Sequence, residues 1–313
     1  MNLSQFGEFG LIDLISRKLG KTSKRVIIGV GDDCAVLKLK TQNSKLKTKE
    51  KLLLITTDTL IENVHFKIKK TSFFDLGYKA LAVNISDIAA MGGVPTFAVV
   101  TIGAPKKFSV KKIEELYQGI NKLAKKCQID IVGGDTVRTP KELIVSITLL
   151  GEVEKEYLLT RSGARAGDLI CVTGEFGGPA KNKFRITNAD PATELRIGAE
   201  RSRGAECRIR LKEARKIARA RLATAMIDSS DGLVRSILEI CKASKVEARI
   251  DLNKVPIAKG ATLEQALYGG EEYELVFTVP KSKARGFKVV GEIVGKGQGN
   301  IQQLKGRGFD HFK

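Results

Sequence analysis

The chain has 313 residues, which is long for a single hydrophobic core and favours two domains. Its 42% hydrophobic and 28% charged residues are typical of a globular protein, and no apolar run approaches the ~18 residues that a membrane-spanning helix needs. The five cysteines are scattered, with no Cys-x-x-Cys pair, which argues for free thiols in the cytoplasm and against a zinc site.

The net charge of +19 raises the question of nucleic-acid binding. Sixteen of these charges belong to the segments 38–51 and 181–221 and to Lys67, Lys69 and Lys70. These regions lie between the glycine- and acid-rich motifs, and they contain few aromatic residues on which bases could stack. We therefore expect solvated basic surfaces, with neither a nucleic-acid nor a membrane partner.

The first third of the chain alternates predicted elements with acidic motifs. After an amphipathic helix over 1–20, a short strand at 26–28 leads into Gly29-Val30-Gly31-Asp32-Asp33. A strand over 51–55 is predicted to end in Thr56-Thr57-Asp58, and a helix over 75–90 contains Asp87. A carboxylate in an alanine-rich helix is costly to bury without a partner, so we predict a ligand role for Asp87.

The same pattern continues to the predicted domain boundary. A strand at 96–102 and a helix at 110–127, which contains Tyr117, precede a strand at 129–132 that is predicted to end in Gly133-Gly134-Asp135. After a further strand at 143–151 we place the boundary, which gives domains 1–151 and 152–313.

The second half repeats the arrangement of short strands followed by acids. A strand from Ala225 ends in Asp228-Ser229-Ser230-Asp231 ahead of a helix, and Gly269-Gly270-Glu271 precedes a strand at 275–279. Ser230 and Asp231 are also suited to capping that helix. Further strands are predicted at 169–173, 247–252 and 289–294, and the basic segment 181–221 is predicted to be helical.

Carboxylates are therefore expected to converge on one cleft, at strand ends and helix starts: Asp32, Asp33, Asp58, Asp87, Asp135, Asp228, Asp231 and Glu271. Such groups repel one another unless cations hold them, and oxygen ligands of this type suit Mg²⁺ shared with phosphates. The sequence contains no Gly-x-x-x-x-Gly-Lys-Ser/Thr motif and no protein-kinase motifs. The residues thus predict Mg²⁺-dependent phosphate chemistry without a P-loop.

Taken together, the motifs resemble those of the thiamine-monophosphate kinases, relatives of aminoimidazole ribonucleotide synthetase and selenide-water dikinase. The similar stretches span almost the whole chain: 29–37, 56–66, 78–95, 131–138, 159–173, 223–233, 268–280 and 308–312. The resemblance implies ATP-dependent phosphorylation of thiamine monophosphate to thiamine diphosphate. It also implies an α/β (α+β) fold, in which an N-terminal mixed-sheet domain forms a dimer barrel and is followed by a C-terminal α/β domain.

The resemblance also implies roles for individual residues. Mg²⁺ would be held by Asp32, Thr56, Thr57, Asp58, Asp87, Asp135, Asp228 and Asp231, of which Asp87, Asp228 and Asp231 are most critical. ATP would contact Tyr117, Gly134, Asp135, Arg161 and Ser230. Thiamine monophosphate would contact His65, Glu271 and Phe309. The Arg-rich segment 181–221 departs from the family pattern.

Two alternatives stay open at this point. The first is a sister ATP-dependent enzyme of the aminoimidazole ribonucleotide synthetase or selenide-water dikinase type. The motif Val64-His65-Phe66 argues against both, and no cysteine precedes Cys34 to serve as the dikinase's reactive residue. The second is a polyanion-binding protein without catalysis, which the many carboxylates disfavour.

Overall fold

The computed structural model describes residues 3–39, 50–181 and 209–304. The first half contains α1 (Leu3–Lys18), β1 (Val26–Ile28), β2 (Ala35–Lys38), β3 (Lys51–Ile61), α2 (Phe73–Ala90), β4 (Val94–Ala104), α3 (Val110–Cys127), β5 (Asp130–Arg138) and β6 (Ile144–Glu154). The second half contains β7 (Leu169–Val172), α4 (Gly178–Lys181), α5 (Leu211–Arg219), β8 (Ala225–Asp228), α6 (Leu233–Ser244), β9 (Glu247–Ile250), α7 (Leu263–Tyr268), β10 (Leu275–Val279) and β11 (Lys288–Val294).

The first domain is a six-stranded mixed sheet in the order β1-β2-β3-β6-β4-β5. Strands β4 and β5 are parallel and the other neighbours are antiparallel. Alternate residues of β6 are buried, including Val145, Ile147 and Leu149, and they join one core with α2 and α3. This two-residue period is that of a sheet with one covered face, and it confirms the predicted mixed-sheet domain.

Helix α2 is fixed in place by backbone contact with α3. Its start is capped by the Ser72 hydroxyl, which accepts the Asp75 N–H at 3.0 Å. A Cβ atom added at Gly77 would lie 1.9 Å from the Leu116 carbonyl oxygen, and one added at Gly119 would lie 1.8 Å from that of Phe74. The two helices can approach this closely only because both positions are glycine.

The second domain is a five-stranded sheet in the order β8-β10-β7-β11-β9, with antiparallel neighbours. One face packs on α6 and α7. The other face packs on α5 and on Ala89 and Ala90 at the end of α2. Helix α2 therefore contributes to the cores of both domains and links them.

Two predicted strand ends were wrong. Strand β3 continues to Ile61, so Thr56-Thr57-Asp58 lies within it, and β5 continues to Arg138 through Gly133-Gly134-Asp135. Sheet hydrogen bonds use only the backbone, so polar side chains do not end a strand. A Cβ atom added at Gly134 would lie 1.8 Å from the Val100 carbonyl oxygen, so glycine marks close strand contact here rather than a turn.

The structure also bears on the predicted domain boundary, the basic segment and the cysteines. Strand β6 extends to Glu154, beyond the predicted boundary at Gly151. The predicted helical character of the basic segment is confirmed in α5, whereas residues 182–208 and 305–313 lie outside the described residues. Within the described helices, none has the length and apolar character required to cross a bilayer. Cys34, Cys127, Cys171 and Cys241 are free thiols.

Candidate active site

Three carboxylates from separate parts of the chain meet between the two domains. Asp33 lies in the turn before β2, Asp87 near the end of α2, and Asp228 at the end of β8. One oxygen of each lies within 4.8 Å of the others. The cluster therefore takes two carboxylates from the first domain and one from the second, and it forms only when both domains are packed together.

Hydroxyl groups orient two of these carboxylates. The Thr56 hydroxyl on β3 donates to Asp87 Oδ2 at 2.5 Å. The Ser86 hydroxyl on α2 donates to Asp228 Oδ2 at 2.7 Å, across the domain boundary. Since Ser86 and Asp87 are consecutive, one turn of α2 holds its own carboxylate and that of the second domain.

Arg161 partly compensates the negative charge. Its Nη2 and Nε donate to Asp33 Oδ1 at 2.6 and 3.2 Å, and its backbone N–H donates to Asp32 Oδ2 at 3.2 Å. The other oxygen of Asp33, Oδ2, is buried and has no hydrogen-bond partner among the described residues. A buried acceptor without a donor is costly, and a cation bound by the three carboxylates would satisfy it. The donor set fits a hard divalent cation.

The pKa values of these carboxyl groups also indicate that the site has more negative than positive charge. Burial raises the pKa of Asp228 to about 8, and the charge of Asp33 adds to this effect. Burial also raises the pKa of Asp87 well above its usual value, with Asp58 and Asp228 contributing. Burial and the adjacent Asp33 raise the pKa of Asp32 to about 7. Near neutral pH the site therefore cannot keep all its carboxylates ionised without added positive charge.

Strand β3 directs the residues predicted to bind Mg²⁺ to opposite faces of the sheet. Asp58 lies on the same face as Thr56, and burial raises its pKa to about 6. Thr57 lies on the opposite face, where its hydroxyl donates to the Ile147 carbonyl oxygen at 3.2 Å. The structure does not bring the Thr57 side chain to the cluster, because consecutive strand residues point to opposite faces.

The residues predicted to bind ATP are spread over both domains. Gly134 and Asp135 lie on the exposed edge strand β5, outside the group of three carboxylates. Tyr117 is half-buried on α3 against the core, and this burial raises its pKa. Arg161 is bound to Asp33. Their contacts with ATP stay predictions.

The segment after β8 contacts the loop that contains Glu271. Neither Ser230 nor Asp231 caps α6, whose N-cap is Gly232 with φ 101°. The backbone N–H of Glu271 donates to the Ser230 carbonyl oxygen at 2.6 Å. The Glu271 side chain forms an ion pair with Lys79 of α2. The loop 269–274 is thereby fastened beside Asp228 and Asp231.

The other predicted substrate residues have different outcomes. His65 has a structural hydrogen bond, because its Nδ1 accepts the Ile61 N–H at 2.9 Å within the turn after β3. Its contact with thiamine monophosphate stays a prediction. Phe309 lies outside the described residues.

Two residues of the site, Ser86 and Lys79, were not assigned a role from the sequence, and Asp33 was expected in the cleft but was not named as a metal ligand. Asp33, rather than Asp32, belongs to the group of three carboxylates. Ser86 adjoins Asp87 in the same motif, so proximity in sequence could have suggested it. Lys79 is 1% exposed in an apolar helix, and a lysine at a core position is itself a signal that a carboxylate lies opposite.

Comparison with known proteins identifies the family of both domains. Residues 31–153 match the AIR synthase related protein, N-terminal domain family, and residues 165–302 match the corresponding C-terminal domain family. The chain therefore belongs to the AIR synthase related proteins.

Individual relatives narrow the class. The thiamine-monophosphate kinase of Bacillus subtilis (strain 168) is 38% identical over 282 residues, which cover 87% of this chain and 83% of that protein. The enzyme of the same name from Aquifex aeolicus (strain VF5) is 32% identical over the full length of both chains. A solved structure of AaThiL complexed with AMPPCP and TMP has 29% identity and a TM-score of 0.82, covering 99% of each chain. The chain belongs to the thiamine-monophosphate kinase family.

The raised pKa of Asp228 predicts how stability depends on pH. A carboxyl group whose pKa is higher in the folded than in the unfolded protein stabilises the fold at low pH and loses this effect as pH rises through the folded value. In EDTA, the melting temperature should therefore fall from about pH 5 to about pH 8. Differential scanning fluorimetry measures this dependence.

Two variants control for other causes of the same trend. Asp228→Asn should flatten the pH dependence, whereas Asp13→Asn, at an exposed position on α1, should keep the wild-type slope. A melting temperature that is constant over this range, or an Asp228→Asn slope equal to the wild-type slope, would contradict the assignment.

Proposed function

We propose that this protein transfers the γ-phosphoryl group of ATP to thiamine monophosphate, forming thiamine diphosphate and ADP. The observation that carries the proposal is the group of three carboxylates, from both domains, with a buried acceptor oxygen on Asp33 left unpaired. Family membership supports the choice of substrates, since AaThiL has been solved with AMPPCP and TMP.

The proposal includes Mg²⁺ at the carboxylates. Asp33, Asp87 and Asp228 would hold it, and Asp32, Asp58, Asp135 and Asp231 are proposed as further ligands. When bound, Mg²⁺ neutralises charge on the phosphates and aligns them. Thr56 and Ser86 would keep Asp87 and Asp228 oriented toward the cation through the hydrogen bonds described above.

The chain's own residues need to supply little proton chemistry. An oxygen of the acceptor phosphate attacks the γ-phosphorus, and the bond to the β,γ-bridging oxygen breaks with its electron pair going to ADP. The acceptor is already anionic near neutral pH, so no general base is required. This agrees with a site in which His65 Nδ1 accepts a backbone hydrogen bond. Catalysis then consists of positioning and charge stabilisation.

Binding roles follow from the resemblance and the positions of the residues. We propose that ATP contacts Tyr117, Gly134, Asp135, Arg161 and Ser230, and that thiamine monophosphate contacts His65, Glu271 and Phe309. Arg161 has donors beyond the two that Asp33 accepts, since a guanidinium carries five N–H groups. It can therefore hold Asp33 and a phosphate oxygen together.

We further propose a cytoplasmic homodimer. The outer face of the first sheet exposes apolar side chains on strands β4 and β5, including Phe97 (46%) and Val132 (60%). Such a face is suited to burial against a second copy. Reduced thiols such as Cys171 are consistent with the cytoplasm. Sedimentation velocity should give the mass of a dimer, and a monomer at micromolar concentration would contradict this part of the proposal.

A coupled assay tests the reaction. The protein is incubated with ATP, Mg²⁺ and thiamine monophosphate, and thiamine diphosphate is measured by chromatography. Asp87→Asn should lower turnover by about a hundredfold or more, because it removes charge where the phosphates are neutralised. Asp13→Asn, an exposed change outside the site, should keep wild-type turnover.

Three outcomes would contradict the proposal. Wild-type turnover by Asp87→Asn would remove the metal assignment. ATP binding without product would indicate a different phosphate acceptor, as in a sister enzyme. Strong salt-dependent retention on single-stranded RNA without turnover would indicate a polyanion-binding protein.

A further inference from the structure

The ion pair between Lys79 and Glu271 joins the domains beside the proposed active site, and Lys79 itself has no role in the reaction described above. Lys79 lies within α2, and its side chain is 1% exposed. Glu271 belongs to the loop 269–274 between α7 and β10 of the second domain. A buried ammonium group is costly unless a carboxylate compensates it. The pair therefore fixes this loop against α2.

Lys79 shares a helix face with a residue that already acts on the site. Lys79 and Ser86 are seven positions apart, which is about two turns of an α-helix. Ser86 donates to Asp228 and Lys79 donates to Glu271, so both cross the same domain boundary. One face of α2 thus sets the position of the carboxylate cluster and of the loop next to it.

The loop is held in a backbone conformation that side-chain-bearing residues rarely adopt. Glu271 has φ 66° and Tyr273 has φ 51°, both in the left-handed region. Their N–H groups donate to the Ser230 and Ser229 carbonyl oxygens at 2.6 and 2.9 Å. Such strain persists only where the surroundings enforce it, and it is concentrated at functional sites.

The neighbouring acids of the loop have partners inside the second domain. Glu272 accepts the Gly177 N–H at 2.7 Å, and Glu274 accepts from Arg210 Nε and the Thr173 hydroxyl, each at 2.6 Å. Glu271 differs, because its partner Lys79 comes from the first domain. The loop is therefore fastened to both domains, and Lys79 provides the attachment to α2.

We propose that Lys79 is a positioning residue for the acceptor substrate, acting through Glu271. Lys79 engages Oε1 of Glu271, and Oε2 is buried and has no hydrogen-bond partner among the described residues. About a quarter of the Glu271 side chain is exposed (27%). This carboxylate accepts an N–H donor, such as the amino group of the pyrimidine ring in thiamine monophosphate. The inference rests on the proposed function.

Steady-state kinetics test the role of Lys79. Lys79→Met keeps the length of the side chain and removes its charge. It should raise KM for thiamine monophosphate by about tenfold or more, since losing a hydrogen bond to a charged group weakens binding by about that factor. KM for ATP should change less than KM for thiamine monophosphate, because the Glu271 side chain is proposed to contact the acceptor, whereas Glu271 contacts Ser230 only through its backbone. Hydrogen exchange of the amides in 269–274 should become faster.

A double variant distinguishes action through Glu271 from independent action. If Lys79 acts through Glu271, Lys79→Met/Glu271→Gln should raise KM for thiamine monophosphate no more than Glu271→Gln alone. Effects that multiply would overturn the proposal. If Lys79→Met does not fold, the double variant can be measured in its place. Replacing both members of a buried ion pair leaves no unpaired charge, so the double variant is expected to fold.

Arg215→Met is the matched control, since it removes another ion pair between the domains. Arg215 on α5 contacts Glu154 at 2.9 Å, outside the site. This variant should lower the melting temperature and leave both KM values unchanged. An unchanged KM for thiamine monophosphate in a folded Lys79→Met protein would overturn the proposal.

Hydrogen exchange separates this proposal from the proposed function. If the wild-type protein forms no thiamine diphosphate, the proposed function fails. The hydrogen-exchange measurement then tests by itself whether Lys79 positions the loop 269–274. Faster exchange in 269–274 for Lys79→Met, but not for Arg215→Met, would then support the positioning role. Equal exchange in both variants would overturn it.

Discussion

Mutual repulsion among the closely spaced carboxylates of Asp33, Asp87 and Asp228 is the constraint on which the rest of the structure depends. Three such groups within 4.8 Å, with burial raising their pKa values, oppose close packing of the domains that carry them. Among the three, Arg161 forms hydrogen bonds only with Asp33, and hydroxyl donors orient the other two. The described residues thus supply less positive charge and fewer donors than these carboxylates need, which is the basis for proposing a bound cation.

Helix α2 makes this arrangement possible. Backbone contact at Gly77 and Gly119 fixes the helix against α3 in the first domain, while Ala89 and Ala90 belong to the core of the second. A helix held at both ends can present Ser86 and Asp87 with little freedom. Precise positioning of phosphates matters because phosphoryl transfer depends on alignment and charge more than on proton transfer.

Much of the fold could be predicted from the sequence, because apolar periodicity identifies helices such as α3 and buried strands such as β10. The ends of β3 and β5 could not be predicted, because backbone hydrogen bonding continues through Thr57 and Gly134 whatever their side chains are. Acidic motifs indicated the site, but the choice of Asp33 over Asp32 depends on which side chain the turn directs inward. The Lys79–Glu271 pair joins residues 192 positions apart, and only the packed domains bring them together.

The most direct test of the central claim is the number of protons released when Mg²⁺ binds to the nucleotide-free protein. Isothermal titration calorimetry at about pH 7, in buffers with different ionisation enthalpies, gives this number. The account predicts net proton release, because burial raises the pKa of Asp228 to about 8, above the pH of the titration, and binding of a cation lowers it. It also predicts less release for Asp228→Asn. Binding without proton release, or equal release by both proteins, would contradict the account.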